Sequence, residues 1–412
     1  MKKNILLLIN QLHGGGAQKV IANLSINLGK KYNVVLVIYN DLEKVVFPFG
    51  GELIKIDLPY SADTHHNNIF KRVYRSLTLI RKLKKIKKKR KPDVAISFME
   101  ASNIVNILSS RNERIILSVR SFLSNEFKDH QRLKIFKIFI RLLYNRSAHI
   151  IVPADLVKID LVKNFGLQEE KISVIYNFID KELIDKRKQE LIEPELESIL
   201  KNYPVIINVG RITPPKAQWL LPHVLKKVRE KIPETRLLIL GEGPLSNKLI
   251  DEARLNNLSV CANGMQYDQD YDIYMPGFKE NPYPFLYKSS AFIMSSLYEG
   301  FPNVIIEAMA CGLPVISSDC ASGPREIISP ETNVNESART LEYAEFGILT
   351  PTYNNELENS KNYIVSAAEA LTEILTNSEK KDFYIRQSLL RAAHYEKKTI
   401  MQQWIGIIEN NN

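Results

Sequence analysis

Three cysteines in 412 residues, Cys261, Cys311 and Cys320, are too few and too irregularly spaced for a disulfide framework or a paired metal-ligand motif. A reducing compartment is the simple reading. Apolar runs long enough to cross a bilayer are also lacking. The start, Met1-Lys2-Lys3-Asn4 followed by Ile5-Leu6-Leu7-Leu8-Ile9, imitates a secretory leader. Its apolar core is short and no small-residue cleavage site follows, so a first buried strand is expected instead. A full G-x-G-x-x-G fingerprint is missing, as is any nucleophile–base pair of the kind covalent catalysis requires. Acids are missing from one stretch. Between Lys71 and Lys91 there are twelve Lys or Arg and no Asp or Glu, which leaves 44 basic against 46 acidic residues elsewhere. The net charge of +10 is therefore one basic element on a near-neutral body.

What is present is ordinary in size and make-up. Apolar residues are 45% and charged residues 25% of the chain, values of a globular protein, and the length favours two domains. In the first half, apolar runs at 5–9, 34–39, 53–58, 94–98, 115–119, 149–152 and 173–176 alternate with helical patterns at 17–30, 68–89, 101–110, 126–146 and 154–165. Near-continuous apolar strands separated by helices predict a parallel sheet covered on both faces. Residues 180–202 are charged, lack a strand pattern and contain Glu193-Pro194, which reads as a linker. The alternation then restarts. Strands are expected at 205–209, 237–240, 273–275, 291–295, 315–317 and 347–349, with helices at 219–231, 245–257, 284–289 and 304–311. Helical stretches at 364–375, 380–393 and 399–409 close the chain, and 261–272, 329–343 and 353–360 fit insertions. The expected fold is α/β, with doubly wound domains at 1–185 and 186–390 and a C-terminal helical segment, 391–412, packing back toward the first.

Chemistry concentrates at the expected strand ends. The first strand runs into Gln11-Leu12-His13-Gly14-Gly15-Gly16-Ala17-Gln18. Glycines there let a ligand approach the backbone, although a plain flexible turn has the same composition. The strand at 205–209 leads into Gly210-Arg211-Ile212-Thr213-Pro214-Pro215-Lys216. Arg211 and Lys216 on a Pro-stiffened turn can clamp a diphosphate and neutralise it as a leaving group; either alone would be a solvated loop cation. Gly241-Glu242-Gly243 follows the next strand. The stretch 297–317 reads as loop, helix and strand, with Asn303 as a cap, Gly312 as the stop and Pro314 before Val315-Ile316-Ser317. Glu299 precedes that helix and Glu307 lies about one turn inside it. A helix start after a Gly-bearing loop suits a phosphate, and an adjacent carboxylate accepts bonds from sugar hydroxyls.

Two basic helices stand apart. In 71–91, Val73, Leu77, Ile80, Leu83 and Ile86 form an apolar stripe among lysines that include Lys84, Lys85, Lys87, Lys88 and Lys89. In the second, from Arg132 to Arg146, Arg132, Lys134, Lys137 and Arg141 oppose Ile135, Phe136, Phe139 and Leu143. A solvated outer face and nucleic acid fit such charge, but an anionic membrane surface is the partner expected for Lys71–Lys91 and Arg132–Arg146, because both helices combine charge with bulky apolar residues. No aromatic stacking platform supports nucleic acid, which is not expected as a partner. Asp268-Gln269-Asp270-Tyr271-Asp272 imitates a metal motif but reads as a solvated acidic loop, and His65-His66 lacks further ligands at metal spacing.

Taken together, Gly14-Gly15-Gly16-Ala17-Gln18, Gly210-Arg211 with Lys216, Gly241-Glu242-Gly243-Pro244-Leu245 and Glu299-x7-Glu307 followed by 308–316 resemble, in order, the motifs of retaining glycosyltransferases of family 4. The stretch 318–327 is similar to members that build bacterial surface polysaccharides. The resemblance implies a GT-B fold, two Rossmann-like domains facing across a cleft. It implies transfer of a sugar, as a guess a hexose or N-acetylhexosamine, from a nucleotide donor, plausibly UDP-linked, to a glycan or lipid-linked oligosaccharide. No metal and no cofactor are expected, and the chain would sit in the cytoplasm, peripheral on the inner membrane face. By the same resemblance Glu307 would bind ribose and Glu299 the donor sugar, while Arg211 and Lys216 hold the diphosphate. Backbone N–H groups at Gly15, Gly16, Phe301, Asn303 and Val304, with the turns at Gly210 and Gly243, would complete the nucleotide site. Three positions depart from the pattern: Arg120 stands where a histidine is frequent, Gln18 where Glu is, and Ala217 where Gly is. A nucleotide-sugar 2-epimerase of the same plan, or a non-enzymatic basic binding protein, are the competing readings.

Overall fold

The computed structural model describes residues 2–13, 15–40, 44–59, 69–126, 130–267, 269–353 and 360–410. The chain forms two compact units, Met1–Asn177 with Met401–Asn412, and Phe178–Ile400. In the first, seven strands make one sheet: β1 Asn4–Leu8, β2 Asn33–Ile38, β3 Glu52–Lys55, β4 Val94–Phe98, β5 Arg114–Ser118, β6 His149–Val152 and β7 Ile172–Val174. Their order is β3-β2-β1-β4-β5-β6-β7 and every pair is parallel. The Val-Ala-Ile-Ser-Phe run of β4 is buried at all five positions, because helices cover both faces of a parallel sheet.

The second unit carries β8 Val205–Val209, β9 Arg236–Leu240, β10 Val260–Ala262, β11 Ile273–Met275, β12 Ala291–Met294, β13 Val315–Ser318, β14 Glu342–Tyr343 and β15 Ile348–Thr350. Its order is β10-β11-β9-β8-β12-β13-β15-β14, parallel except for the β14–β15 pair. Tyr363, Ala367, Leu371 and Ile374 of the helix Lys361–Thr376 are buried in its core with Trp219 and Leu225.

Residues 180–202 are not a linker. They form the helices Lys181–Arg187 and Pro194–Asn202, fastened within the second unit by Lys279–Glu193 and Lys288–Glu197 ion pairs. The expected insertion at 261–272 instead begins in β10, an edge strand paired with β11. The polar segment 329–343 ends in β14, and Pro324–Ile328 is a helix that the pattern did not mark. Both added strands are too short to show a period. The loop after β13 is tied down by a buried cluster in which Arg325 bridges Asp319 at 2.5 Å and Glu342 at 2.8 Å.

The helix Ile69–Arg90 corrects the expected stripe. Leu79 and Leu83 are buried on the first unit's core with Ile80 and Ile86 against them, whereas Phe70, Val73, Tyr74 and Leu77 are exposed. Lys87, expected on the surface, is fully buried and ion-paired to Glu113 at 2.7 Å. The helix His130–Tyr144 likewise exposes Ile135, Ile138, Phe139 and Leu142. The side chains of Arg132 and Lys134, like His65-His66, Gly14 and Asp268, lie outside the described residues. No described helix is long and apolar enough to cross a membrane.

Candidate functional site

An open doubly wound sheet binds ligands outside the carboxyl ends of its strands, where the strand order reverses. In the second unit the reversal lies between β8 and β12. The loop after β8 carries Gly210, Arg211 and Lys216, and the loop after β12 carries Ser295, Ser296 and Glu299. These loops are laced together. Leu297 N donates to Pro215 O at 2.7 Å, and Ser295 Oγ donates to Lys216 O at 2.8 Å. At their meeting point Lys216 Nζ donates to Glu299 Oε1 at 2.5 Å, and Ser296 Oγ donates to the same oxygen at 2.6 Å. The Glu299 side chain is 10% exposed and that of Lys216 28%, so the pair is screened yet open on one side. Arg211 is exposed on the same loop as Lys216.

Glycine is required behind this loop. A Cβ at Gly241 would lie 2.0 Å from Gly210 O, and one at Gly243 2.1 Å from Ile212 O, so the turns after β8 and β9 touch backbone to backbone. Ala217 adopts φ 48°, ψ 34°, the left-handed region where glycine is the easier residue. Alanine there costs about 1 kcal/mol, which burial of its methyl group offsets.

The helix Asn303–Ala310 starts one residue earlier than the capping reading required. Pro302 is the cap residue, no side chain caps the helix, and Asn303 is its first residue, its N–H and that of Val304 lying in the first turn. Its other end matches expectation. Gly312 at φ +79° donates to Met309 O at 2.9 Å and Leu313 N to Ala308 O at 3.1 Å, a Schellman stop. Glu307 is buried on the second turn of this helix, and Phe301, just before it, packs edge-on against Tyr395 at 5.7 Å. Burial, with Glu307 nearby, pushes the Cys311 thiol up to about 12, and burial beside Glu299 raises Cys320 well above its ordinary value. Both thiols stay protonated and are no nucleophiles.

In the first unit the strand order reverses between β1 and β4. Gly15 caps the helix Gly16–Gly29 in extended conformation, and Gln18 is buried with its amide 3.8 Å from Met99 Sδ at the end of β4. Arg120, after β5, donates from Nη1 to Asn177 Oδ1 at 3.0 Å. Its guanidinium lies 4.9 Å from the Phe98 ring and 5.9 Å from Trp404. Burial lowers its pKa to about 9, and Nε and Nη2 have no hydrogen-bond partner among the described residues. A cavity of about 500 Å³ beside Asn4, Asn33, Gly51 and Lys89 opens at the amino ends of β1 and β2, the edge away from these loops.

The acidic loop is otherwise engaged. Asp270 accepts from Tyr203 Oη at 2.6 Å, and Asp272 accepts from Ser259 and pairs with Arg229 at 2.9 Å. Among the described residues no three His, Cys, Asp or Glu converge as a metal site. Sequence reasoning missed Ser296, whose only signal is its place at a strand end, and it missed Met99 and Glu100 after β4.

A family model described as Glycosyltransferase Family 4 matches residues 14–183, and one described as Glycosyl transferases group 1 matches 203–345. An uncharacterised glycosyltransferase of Methanocaldococcus jannaschii is 32% identical over 356 residues, 83% of either chain. The N-acetylgalactosamine-N,N'-diacetylbacillosaminyl-diphospho-undecaprenol 4-alpha-N-acetylgalactosaminyltransferase of Campylobacter jejuni is 27% identical over 399 residues, 96% of either chain. Among solved structures, HepE of Anabaena in complex with UDP-glucose superimposes with a TM-score of 0.71 at 17% identity, over 98% of this chain and 99% of that one.

Proposed function

Since the chain belongs to glycosyltransferase family 4 and has the GT-B fold of two Rossmann-like units, we propose that this glycosyltransferase moves a hexose or N-acetylhexosamine from a UDP-linked donor to a glycan or lipid-linked oligosaccharide, with retention, in surface-polysaccharide synthesis. The observation that carries the reading is the Lys216–Glu299 pair at the switch point of the second unit, beside the start of the helix Asn303–Ala310. A lipid-linked acceptor is supported by the diphospho-undecaprenol substrate in the name of the Campylobacter relative.

Arg211 and Lys216 neutralise the leaving diphosphate, helped by the N–H groups of Phe301, Asn303 and Val304 and the close turns at Gly210 and Gly243. Within the first unit, the helix start at Gly15 and Gly16 offers backbone N–H groups to a ligand at that unit's own switch point. Glu307 accepts from the ribose hydroxyls and Glu299 from the donor sugar. The bond from the anomeric carbon to the phosphate oxygen breaks while that to the acceptor oxygen forms on the same face. The acceptor proton passes to the departing phosphate oxygen, so no protein base and no metal are invoked. Arg120 supplies positive potential near the acceptor.

Calorimetric titration with UDP and GDP tests this directly. UDP is expected to bind, and Glu307→Ala to weaken it about 10-fold or more, the value of one or two charge-assisted hydrogen bonds. No binding of either nucleotide would sink the reading.

The same proposal places the enzyme on an anionic bilayer. The helices Ile69–Arg90 and His130–Tyr144 both pack on the helix Glu100–Leu108, so their exposed apolar stripes belong to one layer of the first unit. Exposed Lys84, Lys85, Lys88 and Lys89 accompany the first of them. Each lysine near the surface contributes about 1 kcal/mol. Sedimentation with phosphatidylglycerol vesicles at low salt is expected to carry the protein down, and replacing those four lysines by glutamine to abolish it. Lys87 must be spared. Binding unchanged by the substitutions would count against the membrane role.

A further inference from the structure

We propose that Glu100 is an acceptor-binding residue whose carboxylate takes a hydrogen bond from a sugar hydroxyl, an inference that rests on the transferase reading above. The reversal of strand order between β1 and β4 opens a crevice at their carboxyl ends. One wall is the Gly15–Gly16 turn and its following helix, and the other is Met99-Glu100. The two are in contact through Gln18 and Met99. Met99 has φ 72°, ψ 157°, a region that is essentially reserved for glycine and costs about 1–3 kcal/mol elsewhere. That conformation is held from both sides. Met99 N donates to Ser118 O at 3.1 Å, and Met99 O accepts from Asn103 N at 2.9 Å. Asn103 is itself buried and bonded to Ser97 and to Ser118 O.

The consequence is a sharp exit from β4 that sets Glu100 as the first residue of the helix Glu100–Leu108, on the edge where ligands bind. Ser121, from the loop after β5, donates from Oγ to Glu100 Oε1 at 3.3 Å and orients the carboxylate. A carboxylate accepts only, which suits hydroxyl donors. Arg120 adjoins Ser121 on the same loop, so a cation arriving there would meet a like charge as well as the carboxylate. A polyhydroxylated, uncharged group satisfies both, and that is what the non-reducing end of a glycan presents.

The test uses saturation-transfer NMR of the full chain, saturated with UDP, against methyl glycosides of glucose, galactose, N-acetylglucosamine and N-acetylgalactosamine. The wild-type protein is expected to bind at least one of them. Glu100→Ala should weaken that binding at least 10-fold and the isosteric Glu100→Gln by less, while the UDP affinity of both variants, read by calorimetry, stays within about 2-fold. Unaltered glycoside binding in both variants overturns the assignment. So does a wild-type protein that contacts none of the four, or a UDP affinity that falls in step with the glycoside's. A wild-type chain without UDP affinity would instead overturn the transferase reading, which makes the two failures distinct.

Discussion

Glu299→Ala is expected to lower turnover by about 10²–10³-fold while leaving UDP affinity within a few fold, and Lys216→Ala to lower turnover as far and donor affinity as well. The magnitude is that of removing one preorganised group aimed at charge developing in the transition state. The geometry sets the asymmetry. Glu299 is held by Lys216 at 2.5 Å and Ser296 at 2.6 Å, so its carboxylate is pre-positioned before any donor arrives. Lys216 also stays on its loop when Glu299 is gone, and it would still attract a diphosphate. The double variant should therefore be little worse than Lys216→Ala alone, since groups acting as a unit are not additive. Steady-state kinetics with UDP-sugars, read as kcat and KM separately, decides the matter. Full activity in Glu299→Ala would remove the pair from the proposed chemistry.

Lys87→Ala is expected to destabilise the first unit by about 3–5 kcal/mol, whereas Lys88→Ala, its neighbour in the same lysine run, should change stability by less than about 0.5 kcal/mol. The difference is burial. The Lys87 and Glu113 side chains are 0% and 2% exposed, and Lys87 Nζ also donates to Asn106 O at 2.9 Å and Oδ1 at 2.7 Å. Deleting the cation leaves the Glu113 carboxylate in the interior without its counter-charge. Burial lowers the Lys87 pKa and the Glu113 hydrogen bond opposes that shift, as expected for an ammonium that exists there because of its partner. Replacing both, as Lys87→Met with Glu113→Leu, should recover most of the loss, because a buried pair is worth little against apolar residues of like size. Urea unfolding of the four proteins measures it. Equal midpoints for Lys87→Ala and Lys88→Ala would show that the pair carries no weight.

Lys87 also marks where reading the chain in one dimension stops. Twelve basic residues of like chemistry between Lys71 and Lys91 give no sign of which one turns inward, and the acid that selects it lies on the far side of β4, just before β5. The exposed residues Phe70, Val73, Tyr74 and Leu77 could not be told from the buried Leu79 and Leu83 for the same reason, since helical spacing alone does not say which part of a stripe meets the core. Met99 looks like any residue at the end of an apolar run, and its backbone conformation comes from bonds to Ser118 and Asn103 that no local pattern encodes. The charged, Pro-containing segment 180–202 had the composition of a linker, but its helices are held by lysines contributed from 279 and 288.

Other features were local and so were readable. Strands buried on both faces must be nearly all apolar, which made most of the two parallel sheets visible as alternating runs. The turns at Gly241 and Gly243 admit only glycine, the helix Asn303–Ala310 needs Gly312 to stop, and Glu299 and Glu307 keep a spacing set by one loop and one helix. Composition and periodicity thus determined the layers, the catalogue of loops and the residues with chemistry on them. Which loops meet was decided by strand order, because a switch point exists only when β8 finds β12 and β1 finds β4 across the sheet. Lys216 and Glu299, far apart along the chain, become a pair for that reason alone.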